Sequence, residues 1–276
     1  MDENYQTQDN PFSGKQKQSV PTVFGLTPVS IGVIAITVLV FGLGQYMVYQ
    51  MGIASAETSI VLGGLYQPLI VYGRAYWLLV TSGFVHIDIL HVLSNLFSFY
   101  ILSRSIERMY SQSKYLGLIL VSIVVGNLFS LAFNQPTLSY GLSGGIFGMV
   151  GAYSVFLVET QLIRVPAIRN NLIFVLLLNL VLGISVSNIN LVAHIGGFIA
   201  GCFFAIAFST RSDWSGLRLH SRIAGLLLLG IVVFLVLRVN SADRYLGTDA
   251  IVIKTYYKFH LDFYADYVRN VLMGGI

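Results

Sequence analysis

Seven long apolar runs divide the chain, at residues 29–49, 85–105, 115–134, 143–159, 171–187, 190–209 and 221–239. A helix rises about 1.5 Å per residue, so runs of roughly twenty residues can cross about 30 Å of hydrocarbon. In lipid each segment must satisfy its own backbone hydrogen bonds, and the pattern therefore predicts an all-α membrane protein. Residues 1–28 are polar and hold too few apolar side chains to fold alone, which predicts a disordered cytosolic arm. The first run reads as a retained span. Ala54-Ser55-Ala56 behind it mimics a signal-peptidase site, but the run exceeds the roughly 7 to 15 apolar residues of a signal segment.

Two stretches do not fit the spans. Residues 50–83 are too apolar for a solvated loop yet are broken by glycines and Pro68. They are expected partly in the interface, with Trp77 and the tyrosines at headgroup depth. In the external tail, residues 240–276, apolar positions recur from Tyr256 through Phe263, Tyr264, Tyr267, Val268, Val271 and Leu272. Lys258, Asp262, Asp266 and Arg269 fall largely on the other side, a pattern that suits an amphipathic helix on the outer leaflet or a solvated one.

Composition agrees with the spans: 55% of the 276 residues are hydrophobic and only 10% charged. The net charge of +4 does not imply nucleic acid, since no basic cluster with interleaved aromatics occurs. Cys202 is the single cysteine, which excludes a disulfide framework. The cations also set an orientation. Lys15, Lys17, Arg104, Arg108, Lys114, Arg164, Arg169, Arg211, Arg218 and Arg222 fall on one side of the spans, and the opposite short loops hold only Arg74. The cation-rich side should face the cytoplasm, which puts the N-terminus inside and Ser143 at the outer end of the fourth span.

Ser143 sits between glycines in YGLSGGIFGMVGA, and His194 lies in AHIGGFIAG, each inside an apolar run. Serine and glycine are ordinary at membrane helix contacts, but an ionisable residue at membrane depth is costly and points to function. Histidine is the base best suited to activate a hydroxyl near neutral pH, so the two are a candidate nucleophile and base. Gly144, Gly148 and Gly151 form one small stripe, and Ala193, Gly197 and Gly201 another, so the two helices can pack closely. Phe147, one turn below Ser143, could hold the imidazole from beneath. A third stretch, GFVHIDILHVLSN, puts His91 and Asn95 on one helix face, with His86 off it. No glutamate follows either histidine as a metalloprotease helix requires, so no metal site is expected. Asn95, His91 and the Ser143 backbone N–H are instead candidate donors to a developing alkoxide. Asp88 reads as a helix cap rather than as a third catalytic member.

With Gly141-Leu142-Ser143-Gly144, the spacing H-x4-H-x3-N at His86, His91 and Asn95, and Ala193-His194-x-Gly196-Gly197, the chain resembles rhomboid intramembrane serine proteases. Trp77, Thr81, Glu107 and Gly126-Asn127-Leu128 are secondary matches, and the resemblance covers about residues 74 to 205. It implies a six-helix bundle, here residues 29–209, followed by a cytosolic loop and a seventh C-terminal span at 210–239. It also implies Ser143 as nucleophile, His194 as base, Asn95, His91 and the Ser143 amide as oxyanion donors, and no cofactor. His86, Gly141, Gly144, Phe147, Gly197 and Gly201 support the site. The implied partners are transmembrane protein substrates and the bilayer, with the site opening to the outer face of the cell membrane. One departure is Leu78, where the family usually has arginine after Trp77; Arg74 is the candidate replacement. The competing readings are a non-catalytic membrane chaperone on the same scaffold and a transporter, which lacks its paired broken repeats here. An α/β-hydrolase elbow is the third, since Gly141 to Gly145 spells G-x-S-x-G, but no strand precedes it.

Overall fold

Proline at the first helical position, an aspartate cap and an asparagine cap mark three of the helix starts that order this chain. A computed structural model describes residues 25–71, 73–133, 138–185, 190–208, 217–239, 246–259 and 261–273. Its helices are α1 (Pro28–Tyr49), α2 (Ser55–Val61), α3 (Gln67–Val71), α4 (Leu78–Thr81), α5 (Ile89–Ile106), α6 (Gln112–Phe133), α7 (Ser143–Glu159), α8 (Pro166–Ser185), α9 (Leu191–Ala207), α10 (Leu217–Val239), α11 (Leu246–Lys258) and α12 (Asp262–Met273). All seven expected spans are helices. Four of them, α1, α5, α6 and most of α10, are long and apolar enough to cross a membrane, while α7 and α9 are 17 residues each. The expected arm up to residue 24, Arg211 and the turns at 134–137 and 186–189 lie outside the described residues.

The centre of the bundle is α6, α7 and α9, which pack on one another most extensively; α10, α5 and α1 flank them and α8 lies at the margin. Lipid tails are as apolar as leucine, so these contacts depend on close packing rather than on exclusion of water. The small stripes supply it. A β-carbon on Gly197 would run into the Gly144 carbonyl, and one on Gly201 into the Gly148 carbonyl. On the third side, a β-carbon on Gly126 would meet the Ala193 carbonyl at 2.7 Å.

The connection between α1 and α5 corrects the interfacial expectation in part. Leu65, Tyr66 and Leu69 are fully buried, and Leu65 pairs with Ser139 through two backbone hydrogen bonds of 2.7 and 3.0 Å. Tyr66 is a core residue rather than a headgroup anchor. Trp77 and Tyr76 are exposed, as that role requires, and Tyr72 lies outside the described residues. Leu78 is buried in the apolar core of the same segment, while Arg74 is exposed and makes no ion pair among the described residues.

The tail also differs from expectation. The amphipathic pattern from Tyr256 is split between α11 and α12, which pack on each other. Of that apolar face, Tyr256 and Val268 are buried and Tyr267 is exposed, while the side chains of Phe263, Tyr264, Val271 and Leu272 lie outside the described residues. Lys258 pairs with Glu57 on α2 at 2.6 Å, and the Gln67 side-chain amide reaches the Val239 carbonyl at 3.3 Å. The end of α10, the tail and the α1–α5 connection therefore share one end of the bundle. Because Leu65 pairs with Ser139, that is the end where α7 begins.

Candidate active site

Ser143 is the first residue of α7, and His194 lies in the first turn of α9, so two helix starts meet at one end of the bundle. Ser143 Oγ and His194 Nε2 are 2.8 Å apart, within hydrogen-bond range. The Phe147 ring stacks on the imidazole, with centroids 4.2 Å apart and planes 10° from parallel. His194 Nδ1 is buried and has no hydrogen-bond partner among the described residues, so none of their acids orients the ring from behind. The phenyl face and the Ser143 hydroxyl define its position instead.

The loop before Ser143 is held by polar side chains. Gly141 has φ +127°, a backbone region L side chains rarely adopt, and a β-carbon there would press 2.9 Å from the His91 ring. Its N–H donates to the Ser82 carbonyl at 2.9 Å, and the Ser82 hydroxyl accepts from the Asn127 side-chain amide, also at 2.9 Å. The Leu142 N–H donates to His86 Nε2 at 3.3 Å, leaving His86 Nδ1 to carry its proton toward the Phe84 carbonyl at 3.4 Å. His86 thus supports the loop rather than facing a substrate oxygen. The His86 and His91 rings meet edge-on with centroids 4.8 Å apart. Tyr140 lies 6.2 Å from His91, and burial, aided by the charge of Asp88, pushes its phenol above the ordinary tyrosine range, so it remains a neutral donor.

Asn95 is buried on α5 and donates one amide hydrogen to the His91 carbonyl at 2.9 Å, which leaves its second hydrogen available. No side chain caps α7 at Leu142, so the first N–H groups of that helix stay open at its positive end. Asp88 caps α5 by accepting from the His91 N–H at 2.9 Å. Its carboxylate is thereby committed to a helix start.

Sequence reasoning passed over Asn190. Its side-chain oxygen caps α9 by accepting from the Ala193 N–H at 3.0 Å, and its amide donates to Ser130 at 2.6 Å and Ser139 at 2.9 Å. One side chain thus joins α6, the loop before Ser143 and the start of the His194 helix. An asparagine directly before an apolar helix was the available signal. The hydrolase elbow is not supported, because α7 follows an isolated bridge at Ser139 rather than a strand within a sheet.

The Rhomboid domain family matches residues 73–211, half of the chain. The chain belongs to the rhomboid family. It is 33% identical over 174 residues to Rhomboid protease GluP of Bacillus subtilis, covering 63% of this chain and 33% of that protein. It is 31% identical over 179 residues to Rhomboid-like protease 3 of Toxoplasma gondii, covering 56% of this chain and 67% of that one. RHOMBOID-like protein 1 of Arabidopsis thaliana is 30% identical over 162 residues, covering 58% and 41%. The aligned part is thus a third to two fifths of the bacterial and plant relatives, which extend well beyond it. The matched segment holds every site residue discussed above, and this rhomboid is a multi-pass helical membrane protein.

Proposed function

We propose that this rhomboid is an intramembrane serine endopeptidase that cuts transmembrane segments of other membrane proteins through a Ser143–His194 dyad. The observation that carries the reading is the 2.8 Å approach of Ser143 Oγ to His194 Nε2, with Nδ1 unpartnered and the ring fixed on Phe147. Substrate enters laterally and unwinds locally, because a helical peptide bond hides its carbonyl in the hydrogen-bond ladder. Ser143 Oγ attacks the carbonyl carbon while His194 Nε2 takes its proton. The oxygen that becomes an alkoxide is held by the Ser143 N–H, the free hydrogen of Asn95 and His91. Collapse breaks the C–N bond as His194 returns the proton to the leaving amine. Water then attacks the acyl carbon and gives a proton to His194, and the C–Oγ bond breaks as His194 passes that proton to Ser143 Oγ and the new carboxylic acid leaves.

The short loops at the site end hold only Arg74, the tail's cations are offset by Asp243, Asp249, Asp262 and Asp266, and the opposite loops are rich in cations, which supports an active site opening to the outer face of the cell membrane. The direct test is labelling by a serine-directed fluorophosphonate probe. The wild type should be labelled and Ser143→Ala should not. Equal labelling of both would remove Ser143 as the nucleophile.

A further inference from the structure

At the end of the bundle opposite the active site, an open cleft of about 350 Å³ is lined by Tyr100, Ile101, Arg104, Ser105 and Arg108 of α5 and the segment after it. Arg104 lies in the last turn of α5 and Arg108 in the turn just after it, and both line this cleft. Both are exposed, and neither forms an ion pair among the described residues. The nearby carboxylate does not neutralise them. Glu107 is turned inward, where it accepts from the Thr27 N–H at 3.1 Å, the Thr27 hydroxyl at 2.8 Å and the Ser30 hydroxyl at 2.5 Å. The Arg104 guanidinium lies over the Tyr100 ring, 5.8 Å from its centroid, and a β-carbon on Gly25 would stand 3.6 Å from Arg104 Nε.

The face leading to this pair is apolar. Leu93, Phe97 and Ile101 are exposed on α5 and follow at four-residue steps, and Arg104 comes three residues after Ile101. A stripe of exposed apolar side chains thus runs along a membrane-spanning helix and ends in two guanidinium groups that form no ion pair among the described residues. That is the outline of a phospholipid: acyl chains along the stripe and an anionic headgroup at the arginines. Arginine suits the headgroup because its planar fork binds phosphate oxygens in pairs. A free phosphate would use the arginines but gain nothing from Leu93, Phe97 and Ile101. We propose that the Arg104–Arg108 cleft binds the headgroup of an anionic phospholipid in the leaflet opposite the active site.

The test is lipid titration of the purified full chain by native mass spectrometry, with phosphatidylglycerol against phosphatidylcholine. The wild type should prefer phosphatidylglycerol. Arg104→Gln/Arg108→Gln should weaken that lipid about tenfold or more, since each cation near an anionic headgroup contributes several-fold to affinity. Arg164→Gln/Arg169→Gln, which removes the same charge from the same end outside the cleft, should change it less than about twofold. Millimolar inorganic phosphate should leave the bound lipid in place. If the double variant unfolds at a lower temperature in detergent, the exposed Arg108→Gln alone serves, with a loss of at least about threefold. Equal losses in both arginine pairs, equal binding of the two lipids, or displacement by phosphate would each overturn the proposal.

Discussion

Two carboxylate and amide side chains on and before α5 separate a dyad from a triad. Asp88 is committed to the His91 N–H, and His194 Nδ1 has no partner, so Asp88→Asn, which can still cap, should change turnover less than about tenfold; loss of a triad acid costs about 10⁴ in chymotrypsin-type enzymes. A drop of a thousandfold or more with folding intact would contradict the dyad. Asn95 is assigned the opposite weight. Removing one oxyanion donor costs about 10² to 10³ in rate, so Asn95→Ala should slow cleavage by that factor while fluorophosphonate labelling of Ser143 persists. A native rate would leave Asn95 as a packing amide. At this scale the sequence was legible where a polar residue interrupts an apolar run, as Ser143 and His194 do, and Phe147, one helical turn from Ser143, could be placed beside the imidazole. Asn190 was missed because it sits at a boundary where polar residues are ordinary, and its partners Ser130 and Ser139 are 60 and 51 residues away.

The two stripes on α7 and α9 are where helix packing and chemistry coincide. Gly197 faces the Gly144 carbonyl, one residue after Ser143, so any change of interaxial distance there also changes the Ser143–His194 distance. Overpacking typically costs about 1 to 3 kcal/mol, and a clash with backbone belongs at or above the top of that range. Gly197→Val should therefore lower the unfolding temperature in detergent and abolish cleavage. Gly230→Val on α10, where nothing lies within 4 Å of the added carbon, should leave both nearly unchanged. Equal stability of the two variants would mean that the close approach of α7 and α9 is not what holds the site. The helices themselves were readable because hydrocarbon demands long apolar runs. The α1–α5 connection and the α11–α12 pair were read less well, since Leu65 pairs with Ser139 and Lys258 with Glu57, contacts that local periodicity does not encode.

Across the whole molecule, the site, the α1–α5 connection and the tail gather at one end, and the short loops of the opposite end carry most of the loop cations. In a Cys202→Ala background, a membrane-impermeant maleimide applied to intact cells should label Ala54→Cys, beside α2, and should reach Ser111→Cys, between α5 and α6, only after lysis. The reverse pattern would invert the molecule and the proposed direction of cleavage. The central claim is tested most directly by giving the purified protein a small panel of transmembrane substrates and measuring peptide-bond cleavage. The wild type should cut at least one within its membrane segment, Ser143→Ala and His194→Ala should each abolish it, and the double variant should be no worse, because groups that act as a unit are not additive. Substantial cleavage by either folded single variant would contradict the Ser143–His194 dyad.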